Sequence, residues 1–196
     1  EAALMKKLNE LLDGQNTRLD DENKSCFQDL HEDLKKLDER INEQTAKLKA
    51  LAKNSEICQR LQTIEGIGVI TATALIAKIG NGSDFKNGRE LSAYLGLVPK
   101  QYSSGDTQRL LGITKHGDRY IRQLLVHGGR AVVQASKRKN KVTDDYQKQD
   151  PHSQWIRKLA NRLGMNKVSV AVANKNARMV IALLKNQIPF DAKLAH

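Results

Sequence analysis

Cysteine is nearly missing from this 196-residue chain, and long apolar runs are missing altogether. Cys26 and Cys58 stand far apart inside helical patterns, which excludes a disulfide framework and points to a reducing compartment. Neither has a His or Cys neighbour at metal-ligand spacing. No run approaches the roughly 20 apolar residues of a membrane span, and no signal peptide is visible. An initiator methionine is also missing: the chain opens at Glu1 in the middle of a helical pattern, so a piece of a longer protein is expected. Finally, no segment shows convincing strand alternation. The chain reads as all-α, a helical arm followed by a compact helical domain.

Acidic residues are scarce in one part only. Residues 1–60 hold 11 Lys+Arg against 13 Asp+Glu, a net of −2, whereas residues 61–196 hold 22 against 9, a net of +13. A solvated basic surface without a partner is the plain alternative. The excess is nevertheless more than solubility demands, and it favours a nucleic-acid partner for the C-terminal two-thirds.

What is present begins with helical periodicity. Leu4, Leu8, Leu11 and Leu12 share one helical face, Gly14 ends the run, and Asp20, Asp21 and Glu22 give an acidic start to a second helix. Phe27, Leu30, Leu34, Leu37, Ile41, Leu48 and Leu51 then recur at alternating three- and four-residue spacing, with Gln44 the polar member of the seam. Residues 1–57 are therefore expected to form a coiled-coil arm or a packed helical hairpin. Residues 58–196 form the second domain.

That domain opens on Ile64-Glu65-Gly66-Ile67-Gly68-Val69-Ile70-Thr71-Ala72, which looks like a helix-hairpin-helix element. Its glycines permit a tight turn and leave N–H groups at a helix N-terminus, so Gly66 and Gly68 are candidate phosphate contacts. The alternative is an inter-helical turn that needs glycine for close packing. Ser83 or Asp84 is a candidate cap for the short helix at 89–96, and Asp118 opens the next helix. Gly128-Gly129 weakens that helix and suggests the close approach of another backbone. The stretch 143–153, with Asp144, Asp145, Asp150 and His152, reads as solvated charge in a loop; the Lys137–Lys141 cluster reads equally as a solvated helix end or a nucleic-acid contact. Residues 155–163 and 168–184 read as final helices. The last is expected at the centre of the core, surfacing at the polar run 174–178.

Between these helices lies Tyr102-Ser103-Ser104-Gly105-Asp106-Thr107-Gln108-Arg109, and soon after it Gly112-Ile113-Thr114-Lys115-His116-Gly117-Asp118-Arg119. A serine hydroxyl attacks only with a base or strong charge stabilisation nearby. Lys100, Arg109, Lys115, His116, Arg119, Arg122 and Arg130 crowd this stretch, and guanidinium groups are well shaped to hold phosphate. Ser104 and Ser103 are thus candidate nucleophiles toward a phosphodiester, and these cations are candidate nucleic-acid contacts.

Residues 61–184 resemble the C-terminal domain of the DEDD transposases of bacterial insertion sequences, relatives of the pilin-gene DNA invertase. The resemblance rests on the order and spacing of several motifs. They are Gly66-Ile67-Gly68-x-x-Thr71-Ala72, Tyr94-Leu95-Gly96-Leu97-Val98-Pro99, Ser103-Ser104-Gly105, Gly112–Lys115, Gly117–Ile121, His127–Ala131 and Ala173-Asn174-Lys175. It implies a serine nucleophile forming a covalent phosphoserine link to DNA, which maps to Ser104, with Ser103 secondary. It also implies a bridge RNA pairing with donor and target DNA, a homo-oligomer (dimer or tetramer), and a cytoplasmic, nucleoid-associated bacterial protein. No cofactor is expected in this chain; the resemblance places divalent metal, Mg, in an N-terminal RuvC-like domain that is not part of it. Asp106 stands where the family commonly has glycine. A non-catalytic helix-hairpin-helix binding module with a dimerising coiled coil is the competing expectation.

Overall fold

The computed structural model of the chain describes residues 10, 21–104, 107–139 and 151–186. The chain divides into two compact units, Glu1–Ala50 and Leu51–His196. Among the described residues are seven helices and one two-stranded sheet, so the architecture is mostly α. The expectation for residues 1–20 lies outside the described residues, residue 10 excepted.

Helix α1 (Asp21–Lys53) is a single run of 33 residues. Its heptad seam is only partly covered: Leu34 and Leu48 are half-buried, whereas Leu30, Leu37 and Ile41 are exposed.

The second unit continues with α2 (Glu56–Leu61), α3 (Val69–Ile79), α4 (Gly88–Tyr94), strands β1 (Pro99–Ser104) and β2 (Thr107–Ile113), then α5 (Arg119–Lys139), α6 (Pro151–Arg162) and α7 (Met165–Asn186). Three of these helices, α2, α4 and α5, are started by a side chain. Ser55 Oγ accepts from the Cys58 amide at 3.3 Å, and Asp118 Oδ1 accepts from the Ile121 amide at 2.9 Å. Neither Ser83 nor Asp84 caps α4; Asn87 does, its Oδ1 accepting from the Arg89 and Glu90 amides at 2.9 and 3.2 Å. Glu90 reaches back to the Lys86 amide at 2.7 Å, completing a reciprocal cap.

The core forms around α7, whose Val168, Val172, Ala173, Ala177, Val180 and Ile181 are buried. Leu61, Ile64, Leu75, Leu91, Leu95, Ile121 and Leu125 close on it from α2, α3, α4 and α5 and from the turns that follow α2 and α4. A second apolar cluster, Val133, Ile156, Val168 and Val172 with Trp155 and Leu159 against it, fastens α6 to α5 and α7.

Helix α5 meets two other backbones through its adjacent glycines. A Cβ at Gly128 would fall on the carbonyl oxygen of Gly66, and one at Gly129 would lie 2.5 Å from the carbonyl oxygen of Ser169 on α7. Gly66 itself has φ +89°. Backbone cannot yield as a side-chain tip can, so Gly128→Ala is expected to destabilise the protein by about 2–3 kcal/mol. Gly68→Ala, where a Cβ meets nothing within 4 Å, should change stability by no more than about 0.5 kcal/mol. Paired thermal melts check the contrast.

Candidate active site

The all-α expectation holds for the described fold with one local departure: the serine stretch is a β-hairpin and not a loop among helices. β1 and β2 pair antiparallel, with Gln101 opposite Leu110, Tyr102 opposite Arg109, Ser103 opposite Gln108 and Ser104 opposite Thr107; an irregularity follows Pro99. Beyond its root the hairpin packs on no other element among the described residues.

The root is tightly locked. Thr114 N–H donates to Val98 O at 2.9 Å and Lys115 N–H to Gly96 O at 3.1 Å. Gly96 and Gly117 have φ +67° and +76°, and a Cβ on either would fall on the carbonyl oxygen of His116 or Tyr94 respectively. Arg122 Nη1 donates to the carbonyls of Leu95 and His116, both at 3.0 Å. From α7, Asn174 Nδ2 donates to Leu97 O at 3.1 Å.

Alternation along paired strands decides what shares a face with Ser104. Residues two apart on one strand, and those directly or diagonally opposite, lie together. Lys100, Tyr102, Ser104 and Arg109 therefore occupy one face, and all four are exposed. The Ser103 side chain and residues 105–106, Asp106 included, lie outside the described parts.

The other expected residues spread around the root. Lys115, exposed, is the one described non-glycine residue at positive φ, +60°; a residue held there costs about 1–3 kcal/mol and is often kept for what its side chain does. His116 and Arg119 are exposed beside it. Arg122 directs its Nη1 at the Leu95 and His116 carbonyls. Arg130, further along α5, is engaged with Asn166 at 2.7 Å.

The glycine turn divides its work. Gly66 is packed against Gly128, whereas Gly68 opens α3 with no side-chain cap and free space around its Cα. The N–H groups of Val69, Ile70 and Thr71 precede the first intrahelical bond, made by Ala72 to Gly68 O at 2.9 Å.

Residues 58–147, which carry the glycine turn, the hairpin and α5, match the family described as Transposase IS116/IS110/IS902. The chain carries a transposase domain of that family. It is 44% identical over 158 residues to the transposase for insertion sequence element IS1111A of Coxiella burnetii, covering 81% of this chain and 41% of that protein. It is 41% identical over 161 residues to a probable family 20 transposase of Pseudomonas aeruginosa, covering 82% of this chain and 45% of that protein. The pilin gene-inverting protein of Moraxella bovis is 24% identical over 136 residues, 68% of this chain and 38% of that protein. The chain thus spans less than half the length of these relatives.

Two polar features of the transposase domain differ from the sequence expectation. The run 174–178 does not simply surface: Asn176 is fully buried and its Nδ2 donates to Glu65 O at 2.9 Å, while Asn174 holds the hairpin root. His152 is not in a solvated loop but in α6, 1% exposed, stacked on Trp155 with centroids 5.9 Å apart and 4.0 Å from the Glu65 carboxylate. Asp144, Asp145 and Asp150 lie outside the described residues. Arg122 also holds the hairpin root, a role not read from the sequence; its signal was its place one turn after the Asp118 cap, where a long donor reaches back to the preceding loop.

Arg122→Lys keeps the charge and loses the planar fork. It is expected to cost about 1–2 kcal/mol and to speed amide exchange of Thr114 and Lys115 more than that of the α7 core, as hydrogen-exchange mass spectrometry can read.

Proposed function

We propose that this transposase domain supplies the serine nucleophile with which a DNA transposase/recombinase cuts and rejoins DNA. The observation that carries the reading is Ser104, exposed at the end of β1 on a face shared with Lys100, Tyr102 and Arg109. Ser104 Oγ attacks a phosphodiester phosphorus. The new Oγ–P bond forms as one P–O bond to the sugar breaks, and the serine proton ends on the departing sugar oxygen. A phosphoserine diester replaces a DNA diester, so the exchange is close to balanced and its reversal rejoins a strand. Arg109 and Lys100, with Lys115 and Arg119 near the root, offset the charge that builds at phosphorus.

Among the described residues of the Ser104 face none is a carboxylate or an imidazole; activation of the hydroxyl is assigned to groups outside them. The divalent metal that the resemblance implies has no ligand set among the described residues, which contain no cluster of three or more His, Cys, Asp or Glu able to hold one. Its ligands are assigned to the N-terminal RuvC-like domain. The exposed seam residues Leu30, Leu37 and Ile41 of α1 support a homo-oligomer. Guidance by a bridge RNA rests on the family resemblance. No described helix is long and apolar enough to cross a membrane.

A suicide DNA substrate tests the nucleophile in the full-length transposase. The covalent adduct should survive denaturation, fall below about a thousandth of the wild-type yield in Ser104→Ala, and persist in Ser103→Ala. An undiminished adduct in Ser104→Ala would remove that residue from the chemistry.

The open N-terminus of α3 is assigned to the DNA backbone. Gly68→Glu adds an anion where the helix dipole welcomes one and where a Cβ has room. Its stability should hold or rise slightly while duplex affinity falls about tenfold, reflecting a lost phosphate contact and a new repulsion; fluorescence anisotropy at fixed salt measures it.

A further inference from the structure

A cleft of about 1120 Å³ opens along α7, lined by none of Lys100, Tyr102, Ser104 and Arg109 but reaching the hairpin root at Pro99 and Ile113. Its floor is apolar, built from residues such as Leu97, Val170 and Met179. The charged residues that line it are all cations, Arg89, Lys167, Lys175 and Arg178, and no described lining residue is acidic.

Three of those cations follow from helical spacing. Lys167, Lys175 and Arg178 fall at i, i+8 and i+11 of α7, with Ala171 and Ala182 completing the same face. Lys175 and Arg178, three residues apart, are like charges that oppose each other on the helix, and negative charge brought to the stripe would relieve that repulsion. Lys175 shows the cost: burial, and then the Arg178 charge, hold its pKa below the ordinary lysine value. Its Nζ sits 4.5 Å from the Trp155 ring centroid, and Trp155 forms part of the cleft wall.

We infer that this cleft binds an unpaired nucleic-acid strand, seating base faces on the apolar floor and flanking phosphates on Arg89, Lys167 and Arg178. A duplex has no such fit, because its bases are stacked inside and it offers a recess only backbone. A groove that combines apolar or aromatic surface with cations is the usual device for single strands. The site is separate from the Ser104 chemistry and does not rest on it.

Lys167 and Arg178 are exposed, so their charges can be removed without opening the core. The experiment titrates a short fluorescein-labelled single strand, as DNA and as RNA, and the duplex of the same sequence. In Lys167→Gln/Arg178→Gln, single-strand affinity should fall about tenfold or more. The slope of log K against log salt should flatten by about 1.4, two phosphate contacts at about 0.7 each. Duplex affinity should stay within about twofold. Ala182→Trp, which fills the cleft and leaves every charge in place, should reproduce the single-strand loss. The stronger loss, RNA or DNA, names the strand the cleft takes. Single-strand binding unchanged in both folded variants, or single-strand and duplex binding weakened in parallel, overturns the proposal. Ser104→Ala should keep both affinities, so failure of the nucleophile assignment leaves this test intact.

Discussion

Everything in the second unit leans on helix α5 touching two other backbones at once. Gly128 lies against the turn that carries Gly66, and Gly129 against α7 at Ser169. A methyl group at the first position lifts the turn and, with it, the N-terminus of α3. One at the second displaces α7, which holds the hairpin root through Asn174. Glycine inside a helix costs roughly 1 kcal/mol against alanine. Two in succession persist here because the contact they permit sets the position of every part of the candidate site.

The hairpin is an unusual carrier for the proposed nucleophile in a helical domain. Two strands alone are marginal in water, and among the described residues this pair packs on no other element beyond its root. The root compensates: two positive-φ glycines interlocked with carbonyls, an arginine clamp and an amide from α7 fix the direction in which the strands leave the body. The arrangement gives reach without loss of aim. Ser104 stands exposed and clear of the core, and the cations on its face are carried by the same ladder.

Sequence reasoning located this machinery unevenly, for physical reasons. The close approach at Gly128-Gly129 was legible because paired glycines in a helix need a cause, and the Asp118 cap because its geometry is local. The hairpin was not, since strands exposed on both sides bury nothing and show no period-two hydrophobic signal. Tyr102, Leu110 and Leu111 are all more than half exposed. Asn87 was missed as a cap because Ser83 and Asp84 are equally good by type, and only the reciprocal bond from Glu90 distinguishes the winner. Asn176 and His152 looked solvated because polarity is local information, whereas the partners that bury them come from elsewhere in the chain: the carbonyl that receives Asn176 is 111 residues away.

The two asparagines of α7 do more than fill their own hydrogen bonds. A helix faced with valine and alanine is smooth, and such a rod in a greasy socket is free to slip or turn by a fraction of a residue at small cost. Asn174 and Asn176 stand about 200° apart around the axis and engage carbonyls on different loops. They act as two keys in two slots, fixing both the phase and the height of the rod. What the apolar surface supplies in adhesion, this pair turns into a single setting.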